Sequence, residues 1–220
     1  MGWRPVVCPE RESGGSYPWS VSRGRLEAFS DGVLAIVITI MVLELVAPHG
    51  TSLDDLLPLW PKFLAYIMSF IYIAIYWNNH HHLLHTTRAV TGSVLWANLH
   101  LLFWLSLVPF TTAWMGENHF APIPVALYGA SLLMPALAFT LLVWAIMRVP
   151  GQSPALAHEL GRDIKGKASV AVYALGIPIA LFVPLVAVAM FIGVALLWIV
   201  PDPRFERVVV SEAAHRDVRP

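Results

Sequence analysis

Residues 25–45 read RLEAFSDGVLAIVITIMVLEL, an apolar run long enough to cross a bilayer as one helix and yet carrying three acidic side chains. An acid at the centre of a membrane helix costs about 2.5–3.5 kcal/mol on insertion scales, so acids in such a span face protein or water and mark function or assembly. The remaining chain has the composition to surround this helix with others. Of its 220 residues 57% are hydrophobic and 13% charged, whereas soluble domains carry about 25% charged residues. The 14 basic and 14 acidic residues cancel, so no net field favours nucleic acid as a partner. With one cysteine, Cys8, the chain has no internal disulfide to form.

Outward from the first span (26–46), apolar runs near 61–84, 91–115 and 122–147 each supply the roughly 20 residues that cross a hydrocarbon core about 30 Å thick. The last apolar stretch, 168–200, would be about 50 Å long as a single helix. It is therefore read as two short spans, about 168–183 and 185–200, divided at Pro184. Charge placement tests this division, because basic residues mark cytoplasmic connections. Arg4, Arg11, Arg23 and Arg25 precede the first span, Arg88 follows the second, and Arg148, Arg162, Lys165 and Lys167 separate the fourth from the fifth. Arg204, Arg207, Arg216 and Arg219 follow the last span. Six spans put all these clusters on one side, whereas five would leave the final four arginines outside. The expected architecture is all-α: a six-helix membrane bundle over 25–200 with both termini cytoplasmic. Residues 1–24 are expected to form a flexible cytoplasmic tail and residues 201–220 a second cytoplasmic tail. Trp60 and Trp114 fall near the outer ends, and Trp96 and Trp144 near the inner ends, as interfacial anchors.

At about 100° per residue, Ile36, Ile40, Leu43 and Ala47 lie within about 40° of one direction on the first helix. Such a stripe packs on lipid, packs on other helices, or lines a hydrophobic constriction; periodicity leaves all three open. Thr39 lies about 60° from Ile36, Glu44 about 80° away on the other flank, and Asp31 about 140° away. With the stripe facing a pore, Asp31 is buried among the other helices and needs a cationic or hydrogen-bonding partner, for which Arg25 is one candidate. A second polar cluster, Tyr76-Trp77-Asn78-Asn79-His80-His81-His82-Leu83-Leu84-His85, ends the second span at the depth of Asp31. His81 with His85, or His82 with His85, has the helical spacing to share a metal. There is no His-Glu-x-x-His segment and the other histidines are isolated. The cluster is read as structural, one or two histidines bonding Asp31 or Ser30 across the helix interface, with His100 a further member; no metal and no catalytic residue is expected. In the third span Pro109 removes a backbone donor, and Ser106, Thr111 or a neighbouring helix satisfies the freed carbonyl.

The pattern Arg25-x-x-x-Phe29-Ser30-Asp31, followed by Trp77-x-x-His80-His81-His82 and by Asn98 through Pro109-Phe110-Thr111, resembles the transmembrane protein 175 family, potassium-permeable channels of lysosomes and bacteria. The resemblance covers the first three spans and implies a homotetramer with four first helices around a central pore. It implies a constriction at Ile36 continued by Ile40 and Leu43, with Thr39 as the polar pore position. It further implies that Arg25, Phe29, Ser30 and Asp31 hold the helices together through Trp77, His80, His81 and His82. No Thr-Val-Gly-Tyr-Gly segment is present, so a carbonyl filter is excluded, and selection is expected to rest on pore width and on sodium holding its water more tightly than potassium. Glu44 is expected to concentrate cations at the outer mouth. The expected function is a passive potassium-permeable channel, not an enzyme, in a bacterial plasma membrane. No cofactor is expected beyond the permeant potassium ion, and the expected partners are further copies of the chain and the lipid bilayer. The alternative is a proton-coupled secondary transporter using Asp31 and the run from His80 to His85; a metal-dependent membrane enzyme built on that run ranks third.

Overall fold

Prolines set where the helices begin. Pro61, Pro109 and Pro122 each occupy the first or second position of a helix, where the missing N–H has no intrahelical partner to lose. The computed structural model describes residues 22–87, 89–150 and 163–199. Over these the chain forms α1 (Arg23–Leu43), α2 (Trp60–His85), α3 (Gly92–Ser106), α4 (Val108–Glu117), α5 (Pro122–Met147), α6 (Ile164–Phe182) and α7 (Pro184–Ile199). Two single-turn 3-10 segments, Leu53–Asp55 and Leu57–Leu59, lead into α2. Among the described residues no strand is present.

The third span is interrupted at Leu107, two residues before Pro109, and so comprises α3 and α4. Hydroxyls cover carbonyls around the break: Ser106 Oγ donates to the Phe103 oxygen at 2.7 Å, and Thr112 Oγ1 donates to the Val108 oxygen at 2.7 Å. The final apolar stretch divides at Val183, which leaves helical geometry (φ −138°, ψ 75°), and Pro184 opens α7. Pro135 and Pro178 stay inside α5 and α6. Four elements and the paired α3–α4 are long and apolar enough to cross a membrane: α1, α2 with its leading turns, α5 and α6; α7, with 16 residues, is shorter.

Successive spans alternate in direction. The starts of α1, α3 and α6 and the ends of α2, α5 and α7 share one end, as shown by Arg23 Nη1 donating to the His85 carbonyl (2.9 Å) and Trp198 Nε1 donating to Ser169 Oγ (2.9 Å). This is the basic end: Arg23, Arg25, Arg148, Lys165 and Lys167 lie there. The opposite end holds Lys62, paired with Glu117 at 2.9 Å. Arg148 lies 3.4 Å from the ring centre of Trp144, an interfacial cation–π contact. The expected tails fall outside the described residues except for 22–24, as do Arg88 and Arg162.

Two apolar cores hold the bundle. One joins Leu34, Val37 and Met41 of α1 with Leu84, Leu101, Leu105 and Leu142. The other joins Met68 and Tyr72 of α2 with Met115, Leu132, Tyr173 and Phe191. Helices α2 and α5 contribute to both. In the second core Phe191 is fully buried and seated over two glycines. A Cβ on Gly176 would stand 2.5 Å from its Cε1, and one on Gly129 2.7 Å from its Cζ. Polar groups inside this core satisfy one another: Tyr72 donates to the Phe191 carbonyl at 2.5 Å, and Ser69 Oγ lies 2.6 Å from Thr112 Oγ1 and 3.0 Å from the Tyr128 hydroxyl. Without water in the hydrocarbon, such pairing is required rather than optional.

Candidate pore face and inter-helix network

Helix α1 has two distinct faces. Leu26, Ser30, Leu34, Val37 and Met41 are buried, a spacing of three and four that marks one helical side, and this side packs on α2, α3 and α4. On the other side Phe29, Ile36 (59% exposed), Thr39, Ile40 and Leu43 (76% exposed) are left uncovered by the described residues. Leaving this many large apolar side chains uncovered marks an interaction surface or a lipid face. Thr39 Oγ1 donates to the Ile36 carbonyl at 2.9 Å. Its hydrogen is thereby directed back along the helix, and the oxygen lone pairs remain for an external donor or cation.

The helix ends earlier than the apolar run. Leu43 is its last residue and Glu44 is the C-cap, so Ala47, expected on the same stripe, lies beyond the helix. Glu44 is exposed. It lines a groove of about 590 Å³ together with Ile36 and Ile40 on one wall and Pro109, Phe110 and Trp114 on the other.

On the buried side, α1 and α2 run antiparallel and meet in a ladder with a four-residue step on both helices. Arg23 Nη1 donates to the His85 carbonyl, Glu27 Oε1 lies 2.8 Å from His81 Nδ1, and Trp77 Nε1 donates to Asp31 Oδ1 at 3.0 Å. The Trp77 and His81 rings stack at 6.0 Å with an interplanar angle of 23°. A second chain crosses to α3. Ser30 Oγ donates to the Leu26 carbonyl (2.9 Å) and accepts from Asn98 Nδ2 (3.0 Å), while Asn98 Oδ1 lies 2.6 Å from His80 Nε2. With the amide so oriented, His80 Nε2 carries the proton and donates. Its Nδ1 is buried with no partner among the described residues.

Several expectations are corrected by this geometry. Asp31 is half-buried rather than sealed, and an indole N–H, not a histidine or Arg25, is its partner. Arg25 is exposed and reaches none of the network groups. No histidine bonds Ser30 directly; His80 reaches it through Asn98. His82 packs edge-on against His81 at 5.8 Å. His100 accepts from Trp104 Nε1 within its own helix (3.0 Å) and stands apart from the network. Glu27, one of the three acids of residues 25–45, is a network member that sequence reasoning misses. The signal for it was the shared step: Glu27 precedes Asp31 by four residues, as Trp77 precedes His81, so two antiparallel helices joined at one rung are joined at the next.

Comparison with known proteins bears on what this arrangement serves. A profile of the family described as endosomal/lysosomal potassium channel TMEM175 matches residues 25–109. A potassium channel of a Chryseobacterium species is 54% identical over 187 residues, covering 85% of this chain and 97% of that one. A potassium channel of Streptomyces collinus is 35% identical over 133 residues, covering 57% of this chain and 65% of that one. Among solved structures, a lysosomal potassium-selective channel TMEM175 homologue from Chamaesiphon minutus superposes with a TM-score of 0.70 at 28% identity, over 80% of this chain and 95% of that chain.

Proposed function

Because the chain belongs to the TMEM175 family, we propose that it is a potassium-permeable channel that conducts passively through a central pore lined by α1. The observation that carries this reading is the uncovered face of α1, where Ile36, Ile40 and Leu43 lie beside an exposed Thr39. Four copies, with their α1 helices about one axis, cover that face, and the groove between α1 and α4 receives a neighbouring subunit. The basic end is cytoplasmic and the membrane is the bacterial plasma membrane. Isoleucine side chains offer no ligands, so Ile36 sets the narrowest and driest point. An ion that sheds its water more easily crosses it more readily, and this favours potassium over sodium. The Thr39 hydroxyls replace part of the lost hydration next to that point. Glu44 raises the cation concentration at the far mouth. The ladder and the Ser30–Asn98–His80 chain hold α1 in register, so Asp31 fastens the helix and does not line the ion path.

Potassium flux into proteoliposomes, with sodium as competitor, tests this. Native protein is expected to pass potassium faster than sodium. Ile36→Asn, which wets the constriction, is expected to raise flux and lower selectivity; unchanged conductance and selectivity would remove Ile36 from the constriction. The proton-coupled alternative needs Asp31 and the histidines in one relay. The bonds of Asp31 to Trp77 and of His80 to Asn98 belong to separate chains, and uptake driven by a pH gradient would be its signature.

A further inference from the structure

The ladder places three metal-ligating side chains together at the basic end, and the network that holds the bundle does not use all of their capacity. Glu27 Oε1 lies 2.8 Å from His81 Nδ1 and 3.6 Å from His85 Nε2, and one ligating atom from each of the three falls within 4.8 Å of the others. The two imidazoles meet edge-on, with ring centres 4.4 Å apart and planes inclined at 67°. We propose that Glu27, His81 and His85 form a binding site for a divalent transition-metal ion of the zinc class, clamping the start of α1 to the end of α2.

The chemistry of the donors selects the ion. Two neutral imidazoles and one carboxylate suit zinc, cobalt or nickel, whereas calcium and magnesium take oxygen ligands in larger number. The geometry is close to that required. Nitrogen and oxygen ligands about 2.0–2.2 Å from a tetrahedral ion stand about 3.4 Å from one another. The Glu27–His85 separation already matches, and Glu27–His81 needs to open by about half an ångström from hydrogen-bond length. Both histidines sit in the last two turns of α2, one turn apart, so the helix itself sets their common direction. Stacking on Trp77 fixes the His81 plane, and the Arg23 bond to the His85 carbonyl ties that last turn to α1. The site opens to solvent: His85 has 49% of its side chain exposed and His81 38%. An ion therefore has an entry path and a fourth position for water.

Titration of purified full-length protein, free of any histidine tag, with cobalt(II) alone tests the site through the visible spectrum. One equivalent per chain with the strong absorption of four-coordinate cobalt is expected, displaced by zinc. His85→Gln keeps the Glu27–His81 pair and hence the rung of the ladder, so it is expected to retain the native melting temperature while losing cobalt binding at least tenfold. Glu27→Gln is expected to lose it as well, and His100→Gln, which lies outside the cluster, to retain it. Cobalt absorption that is absent from native protein, or unchanged in His85→Gln, overturns the proposal. One consequence rests on the channel reading: zinc at the basic end holds α1 against α2 and is expected to alter potassium flux in native protein but not in His85→Gln. Native protein that binds cobalt without conducting potassium would defeat the channel reading and leave the metal site standing.

Discussion

Asn98 is the side chain through which the buried polar groups of α1 and α2 are joined. It is fully buried, and its two amide atoms each serve a different helix, donating to Ser30 of α1 and accepting from His80 of α2. Asn98→Leu keeps the approximate volume and removes both partners, leaving the His80 N–H without an acceptor in a dry setting. A loss of about 1–3 kcal/mol is expected for such an orphaned group, read as a lower melting temperature in detergent. Trp77→Phe removes the indole bond to Asp31 but keeps an aromatic ring over His81. Trp77 is 46% exposed, so its smaller cost, about 0.5–1.5 kcal/mol, is expected to rank below that of Asn98→Leu; the reverse order would mean that Asp31, not Asn98, carries the interface. The sequence made the participants visible, since Ser30, Asp31, Trp77 and the histidines all stood out as polar groups in apolar runs. It did not make the pairing visible. Which of several polar groups meet depends on the axial offset between antiparallel helices, and a single sequence carries no direct record of that offset until one rung is known.

At the scale of the element, helix identity was legible because hydrocarbon thickness sets helix length, and the division at Pro184 was legible because no single helix of that length fits. The interruption at Leu107 is displaced from the proline that causes it, since Pro109 is accommodated at the second position of the new helix and the discontinuity falls before it. The seat of Phe191 was not legible at all: Gly129, Gly176 and Phe191 come from three helices, and only their packing shows that the ring depends on two absent side chains. Gly176→Ala forces a methyl group against a fully buried ring. Overpacking of this kind costs about 1–3 kcal/mol, so the variant is expected to melt earlier, and Gly176→Ala combined with Phe191→Leu to recover part of the loss. Additive losses in that pair would place the strain elsewhere.

For the whole molecule, the proposed assembly makes the exposed face of α1 an interior surface. In a Cys8→Ser background, Leu43→Cys is expected to form a disulfide between subunits under mild oxidation, because four copies of this position surround one axis; a cysteine at Trp96, exposed on α3, is expected to remain monomeric on a denaturing gel. Failure of Leu43→Cys to cross-link in protein of tetrameric mass would turn α1 toward lipid.

The short α7 has a consequence for the surrounding bilayer. Its 16 residues rise about 24 Å, whereas the 26 residues of the apolar α5 rise about 39 Å, so the molecule presents an uneven hydrophobic height to the lipid around it. A bilayer meets a short flank by thinning, at a fraction of a kcal/mol per ångström of mismatch. Lipids with shorter acyl chains fit the α6–α7 flank and longer ones strain it. The protein is thus expected to favour one bilayer thickness, visible as a maximum in melting temperature across a phosphatidylcholine series of increasing chain length.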